Sequence, residues 1–176
     1  VDRRGRVVWE WRSIDSIDDF PTWDRERKDP THFNSIHELP ENRHFDGGDE
    51  RFRPGNILVS ARHLNTIFIV DKRSGEVVWQ YTGNLDYQHE ATMVPRGEPG
   101  KGRILVFNNG QGRPAGDYSS VEEIVPPIEE DGSYSLAAGS AYEPDWLAWT
   151  YAAYPPSDRD EEAISGAHRL PSGNAL

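Results

Sequence analysis

The chain has no cysteine among its 176 residues. Disulfides, thiolate nucleophiles and zinc–sulfur sites are therefore excluded, and the redox compartment stays open. Positive charge is scarce. Nineteen Lys and Arg stand against 30 Asp and Glu, for a formal net charge of −11. That balance argues against nucleic acid and anionic membrane as main partners, and an acidic solvated surface is its plainest reading. No apolar run approaches the roughly 20 residues of a membrane-spanning helix, so no membrane insertion is expected. Helical periodicity is weak throughout. The sequence has no phosphate-binding glycine loop, HExxH or GxSxG, and no motif implies a cofactor. Its acid clusters, Asp15 to Asp19, Glu129 to Asp131 and Asp158 to Glu162, lack EF-hand spacing and read as solvated loops. The first residue is Val1, not Met, and it falls in a strand-like segment. The end, from Gly173 to Leu176, resembles the start of another strand. The chain therefore reads as a piece of a longer protein, in which a missing signal peptide is uninformative.

What is present is aromatic and turn-rich. Six Trp, seven Tyr and six Phe accompany 16 Gly and 13 Pro, a composition suited to short strands joined by turns. Trp9-Glu10-Trp11, Trp79-Gln80-Tyr81 and Trp149-Thr150-Tyr151 recur at one constant step, each closing an apolar run. Side chains alternate along a strand, so an aromatic–x–aromatic spacing puts both rings on one face. A multi-strand unit repeated along a chain points to a propeller or solenoid.

The strand signals repeat in order. One unit runs through residues 31–40, 55–60, 65–71 and 75–81, with a hairpin turn at Asp71-Lys72-Arg73-Ser74-Gly75. A second runs through 88–95, 102–107, a weaker strand near 119–125, and 146–151. A third opens at 164–171, followed by 173–176. Four antiparallel strands make a propeller blade. The expectation is one partial, all-β propeller domain over residues 1–176. Residues 1–11 would be the last strand of a preceding blade, 31–82 and 86–151 two complete four-stranded blades, and 162–176 the start of another. A ring closes only with about four to eight blades, so this chain alone should leave it open. Residues 12–30, 41–54, 111–117 and 126–144 read as loops.

Aligning the units on Leu39-Pro40, Val94-Pro95 and Leu170-Pro171 puts His37, Thr92 and His168 in one column and Asn34, His89 and Ser165 in another. Both columns fall on the opening strand of each unit, nearest the central channel of a propeller. Such residues either bond neighbouring blades or converge on a ligand. A single His favours the first, and the recurrence of polar residues favours the second. Asn108-Asn109-Gly110-Gln111-Gly112-Arg113 follows an apolar strand and reads first as a tight turn, second as a device aiming Arg113 at an anion. Arg62 and His63 end another apolar strand, where Arg62 could pair with a surface carboxylate or line an anion pocket.

These motifs resemble the arylsulfotransferase family. The similarity lies in His32-Phe33-Asn34-Ser35-Ile36, residues 57–67, Gly75-Glu76-Val77-Val78-Trp79, Gln88-His89-Glu90-Ala91, residues 104–110 and residues 165–174. The resemblance implies a six-bladed propeller. It also implies transfer of a sulfuryl group from a phenolic sulfate ester to a phenol through a sulfohistidine, without nucleotide sulfate. His89 matches the family's Gln-His motif, and Arg113 its Arg just past the Asn-Gly turn; these are the expected catalytic residues. Arg62, His63, His32 and Asn34 match further site motifs and are expected to bind substrate, as is His168, where relatives carry Gln. The sulfated His is expected beyond Leu176 and another site His before Val1. Export to the periplasm or cell exterior is implied in the same way. A non-catalytic propeller that binds a partner and a quinone-cofactor propeller enzyme are the alternatives.

Overall fold

The computed structural model describes residues 1–20, 26–83, 85–113, 116–126, 148–153 and 165–176. Among these residues, eight strands form two four-stranded antiparallel sheets. The first sheet holds β1 (Phe33–Glu38), β2 (Ile57–Ala61), β3 (Thr66–Val70) and β4 (Val77–Tyr81), paired in sequence order. The second holds β5 (His89–Met93), β6 (Ile104–Asn108), β7 (Ser120–Ile124) and β8 (Trp149–Ala152), again in order. Neither sheet closes on itself.

Period-two side chains build three apolar layers. Along β2, Leu58 faces the second sheet, while Ile57, Val59 and Ala61 face the other way. The middle layer lies between the sheets and contains Leu58, Ile67, Ile69, Trp79 and Tyr81 with Ala91, Met93, Ile104, Val106 and Ile124. On the outer face of the first sheet, Val59, Phe68 and Val70 pack against Phe20, Trp9 and Trp11. On the outer face of the second, Leu105 and Phe107 pack against Ala167 and Ala175. Both faces of β2, β3 and β6 are thus buried, which explains their nearly continuous apolar runs.

Residues 1–11, expected as a strand, adopt no strand conformation; no described strand lies beside them to complete a ladder. Their indoles dock on the β3–β4 turn instead: Trp9 Nε1 donates to Lys72 O and Trp11 Nε1 to Gly75 O, each at 3.0 Å. That turn forms as expected. The Asp71 carboxylate accepts the N–H groups of Arg73 (2.7 Å) and Ser74 (3.0 Å), and Gly75 takes a left-handed φ of 79°. The loops expected at 12–30 and 41–54 contain helical turns at Ser13–Asp19, at α1 (Arg43–Asp46) and at Glu50–Phe52. Asn42 caps α1 by accepting from the backbone N–H groups of His44 and Phe45. Buried His44 bonds Gly102 O at 2.6 Å and so ties this loop to the turn between β5 and β6. Residues 165–176 fold back on themselves through the Arg169–Ala175 bridge. The acid clusters at 129–131 and 158–162, all but the first residue of the loop expected at 126–144, and the first residues of the strands expected at 146–151 and 164–171 lie outside the described residues.

Candidate active site

The sheets meet through residues 85–88, which carry the chain from β4 to β5. The Gln88 amide donates to Ser60 Oγ, Ala61 O and Thr66 O at 3.0–3.2 Å. Asn34 Nδ2 donates to Gln88 O at 2.7 Å. Asn65 Oδ1 accepts from Tyr87 N, and Asn108 Oδ1 from Asp86 N. This crossover fixes the start of β1, the end of β2, the start of β5 and the end of β6 at one edge of the two-sheet stack. All the sequence-predicted site residues except His168 lie on these strand ends or next to them.

Backbone strain collects at the same place. Four non-glycine residues have left-handed φ among the described residues: His32 (47°), Asn65 (49°), Tyr87 (53°) and Glu90 (46°). Strain of this kind persists only where surroundings over-determine it, and it clusters at functional sites. Both opening strands are also bulged, between Phe33 and Ser35 in β1 and between His89 and Ala91 in β5. Bulges re-aim side chains at sheet ends.

On the second sheet, His89 Nδ1 donates to Asn109 Oδ1 at 2.7 Å. Its Nε2 makes no hydrogen bond among the described residues. Arg113 Nη2 donates to Ser120 Oγ at 2.7 Å and to Glu122 Oε1 at 3.1 Å, and the guanidinium lies over the Tyr118 ring at 4.2 Å. Gly110 makes room for it, because a side chain there would strike Tyr118 O and Arg113 Nε. Glu122 is 3% exposed and also accepts from Asn108 Nδ2 at 2.8 Å. His89 and Arg113 do not bond each other; His89 is held by Asn109 in the segment that links β6 to β7, and Arg113, in the same segment, by Ser120 and Glu122 of β7.

On the first sheet, His63 commits both ring nitrogens. Nδ1 donates to Asp29 O at 2.7 Å, and Nε2 accepts from Arg62 Nη1 at 3.0 Å. Burial, together with the neighbouring Arg27 and Arg62 guanidiniums, holds its pKa below the usual imidazole value despite the Asp29 bond, so the ring is neutral. His63 therefore positions Arg62, whose guanidinium stacks on Tyr87 at 4.3 Å. His32 lies 4.7 Å from the His63 ring and bonds Asp29 Oδ2 through Nδ1 at 2.7 Å. Ligand atoms of Asp29, His32 and His63 fall within 4.8 Å of one another, as in a divalent-metal site. Arg62 on His63 Nε2 and nearby Arg27 oppose a cation there and favour an anion.

His168 stands apart. Its Nε2 is 3.7 Å from Glu90 Oε1, which His37 Nε2 approaches to 2.9 Å. Two imidazoles from the same sequence column thus share one carboxylate. Sequence reasoning passed over Asp29, Tyr87, Glu90, Tyr118 and Glu122. Asp29 and Glu90 could have been flagged by their places, three residues before His32 and directly after His89.

Asp86 carries a testable charge. Burial pushes its carboxyl above the usual carboxylate range, and Asp117 adds to the rise while Arg113 and Asn65 oppose it. A raised folded-state pKa contributes stability that is complete below the unfolded value and lost as pH rises through the folded one. At neutral pH the ionised group is therefore a cost. Asp86→Asn should melt higher than the unmodified protein at pH 7, with the gain shrinking as pH falls into the acid range. An equal gain at both ends would show that charge is not the cause.

A cleft of about 790 Å³ is not at this site; it lies beside Trp11, Asp15 and residues 74–78. No curated protein and no solved structure matches the chain. The family model described as Arylsulfotransferase (ASST) does, over residues 4–132. That span takes in both sheets as far as β7 and includes His32, Asn34, Arg62, His63, His89 and Arg113, with their partners Asp29, Tyr87 and Asn109. On that match the chain belongs to the arylsulfotransferase family.

Proposed function

We propose that this chain forms part of a six-bladed propeller enzyme that moves a sulfuryl group from a phenolic sulfate ester to a phenol by way of a sulfohistidine. One observation carries the reading. At a single edge of the stacked sheets, His32 and His89 each commit Nδ1 to an acceptor and leave Nε2 without a hydrogen bond among the described residues, and the same edge carries two guanidiniums anchored on tyrosines. A binding module would have no need for paired imidazoles of fixed tautomer beside fixed positive charge.

Sulfuryl transfer, like phosphoryl transfer, places charge on non-bridging oxygens with attacking and leaving oxygens in line. In the first half-reaction an imidazole lone pair attacks sulfur. The S–N bond forms, the S–O(aryl) bond breaks, and its electron pair leaves on the phenolate, which takes a proton from a neighbouring imidazolium. In the second, the acceptor phenol gives its proton to that imidazole, its oxygen attacks sulfur, and the S–N bond breaks. Arg113 and Arg62 supply fixed positive charge for the sulfuryl oxygens. His89 acts at the reacting centre, while His63 and Asn34 orient Arg62 and the crossover. His168, beside Glu90, contributes to substrate binding. Family resemblance also supports a periplasmic or extracellular location.

The full-length protein, given a phenyl sulfate donor and a phenol, should show ping-pong kinetics. Given donor alone, it should release one equivalent of phenol in a burst and retain acid-labile sulfate on histidine. Sequential kinetics without a trapped intermediate would refute the covalent route.

A further inference from the structure

The contacts around the first sheet's opening strand assign a role to a residue outside the recognised motifs. We infer that Asp29 is a positioning residue that holds His32 as its Nδ1–H tautomer and thereby presents Nε2 to the sulfuryl ester. The inference rests on the sulfotransferase reading above.

Three bonds from one residue carry it. Asp29 Oδ2 accepts from His32 Nδ1 at 2.7 Å, and Oδ1 accepts from the His32 backbone N–H at 2.9 Å. The Asp29 carbonyl accepts from His63 Nδ1 at 2.7 Å. A single aspartate thus sets both imidazoles on this side of the site. His32 needs such support, because its φ of 47° is strained for a residue with a side chain and the two-point carboxylate grip compensates for that. Although desolvation works against the carboxylate, the backbone and ring N–H groups of His32 hold its pKa below the usual Asp value. The group is therefore an anion at working pH and accepts at both oxygens. An imidazole whose Nδ1–H is bound to a carboxylate can carry a proton at Nε2 or a lone pair there, without turning. His32 Nε2 makes no hydrogen bond among the described residues. It is the atom that can give a proton to the departing phenolate oxygen and take one from the acceptor phenol. Asp29 touches no substrate and acts through His32.

The test is Asp29→Asn in the full-length protein. An amide has one acceptor oxygen and cannot receive both the His32 backbone N–H and its Nδ1–H at their present places. Either the ring changes tautomer or the backbone bond breaks, while the carbonyl bond to His63 survives. With phenyl sulfate, kcat should fall about tenfold to a hundredfold at nearly constant KM, the range expected for a misplaced catalytic group. Long-range 15N NMR of labelled histidine reads the tautomer independently of activity. His32 should be Nδ1–H in the unmodified protein and should lose that form, or become mixed, in the variant. An Nε2–H tautomer in the unmodified protein, or a variant with unchanged kcat, overturns the inference. If the full-length protein transfers no sulfuryl group, the sulfotransferase reading falls, and the NMR spectrum alone decides the Asp29–His32 pairing.

Discussion

Turnover of phenyl sulfate by the full-length protein should fall about 100- to 1,000-fold when Arg113 is replaced by Ala, the loss typical of removing one fixed donor from a site that stabilises developing negative charge. The single substitution does not isolate that effect. Arg113 is the charged partner of Glu122, and their side chains are only 15% and 4% exposed. Removing the guanidinium leaves the carboxylate with Asn108 and Ser120 as its donors. Breaking one half of a buried pair costs about 3–5 kcal/mol, so Arg113→Ala should also unfold at lower temperature. Adding Glu122→Gln removes the stranded charge while keeping an acceptor for Asn108 and Ser120. The double variant should recover most of the lost stability and none of the lost rate. Melting curves followed by circular dichroism and kcat at saturating donor separate the two effects. A stable double variant that turns over normally would remove Arg113 from the mechanism.

Trp79→Ala should cost about 3–5 kcal/mol of unfolding free energy, the usual range for deleting a large buried aromatic side chain. Trp79 is 0% exposed at the centre of the layer between the sheets. It stacks on Tyr81 at 6.5 Å and meets Phe52 at 6.0 Å. The cavity would open between two sheets that each need the other as a wall, so neither can collapse into it. Trp79→Phe should be much milder. It keeps part of the ring and removes an indole N–H that has no hydrogen-bond partner among the described residues. Urea denaturation compares the two; equal losses would mean that volume is not the governing factor.

The expected strand order was legible because both its signals are local. The apolar runs at 57–60, 67–70 and 104–107 mark strands buried on both faces, and the Asp71-to-Gly75 composition marks the turn between two of them. β7 was the faintest strand for a physical reason. Its Glu122 and Glu123 are each 3% exposed, and no local pattern announces a buried acidic pair. They are tolerated because arginines from outside the strand meet them: Arg103 and Arg169 bond Glu123, and Arg113 bonds Glu122. The three recurring aromatic pairs show the same limit. Trp79 and Tyr81 form the core; Trp149 and Tyr151 stack at 6.2 Å yet stay 38% and 48% exposed; Trp9 and Trp11 leave the strand conformation and cap a turn. The identical spacing puts two rings on one face, but only the neighbours decide whether that face is covered.

By itself the sequence determined the β class, the order of the strands, the hairpin turn and the motifs that carry family membership, because each depends on residues close together along the chain. The tertiary structure decided which nitrogens remain available, that His63 serves Arg62, that Arg113 is balanced by Glu122, and that Asp29 grips His32. Those outcomes depend on which of several possible partners each side chain meets: Asp29 reaches His63 across 34 residues of chain and Asn109 meets His89 across 20, and no local pattern specifies such choices.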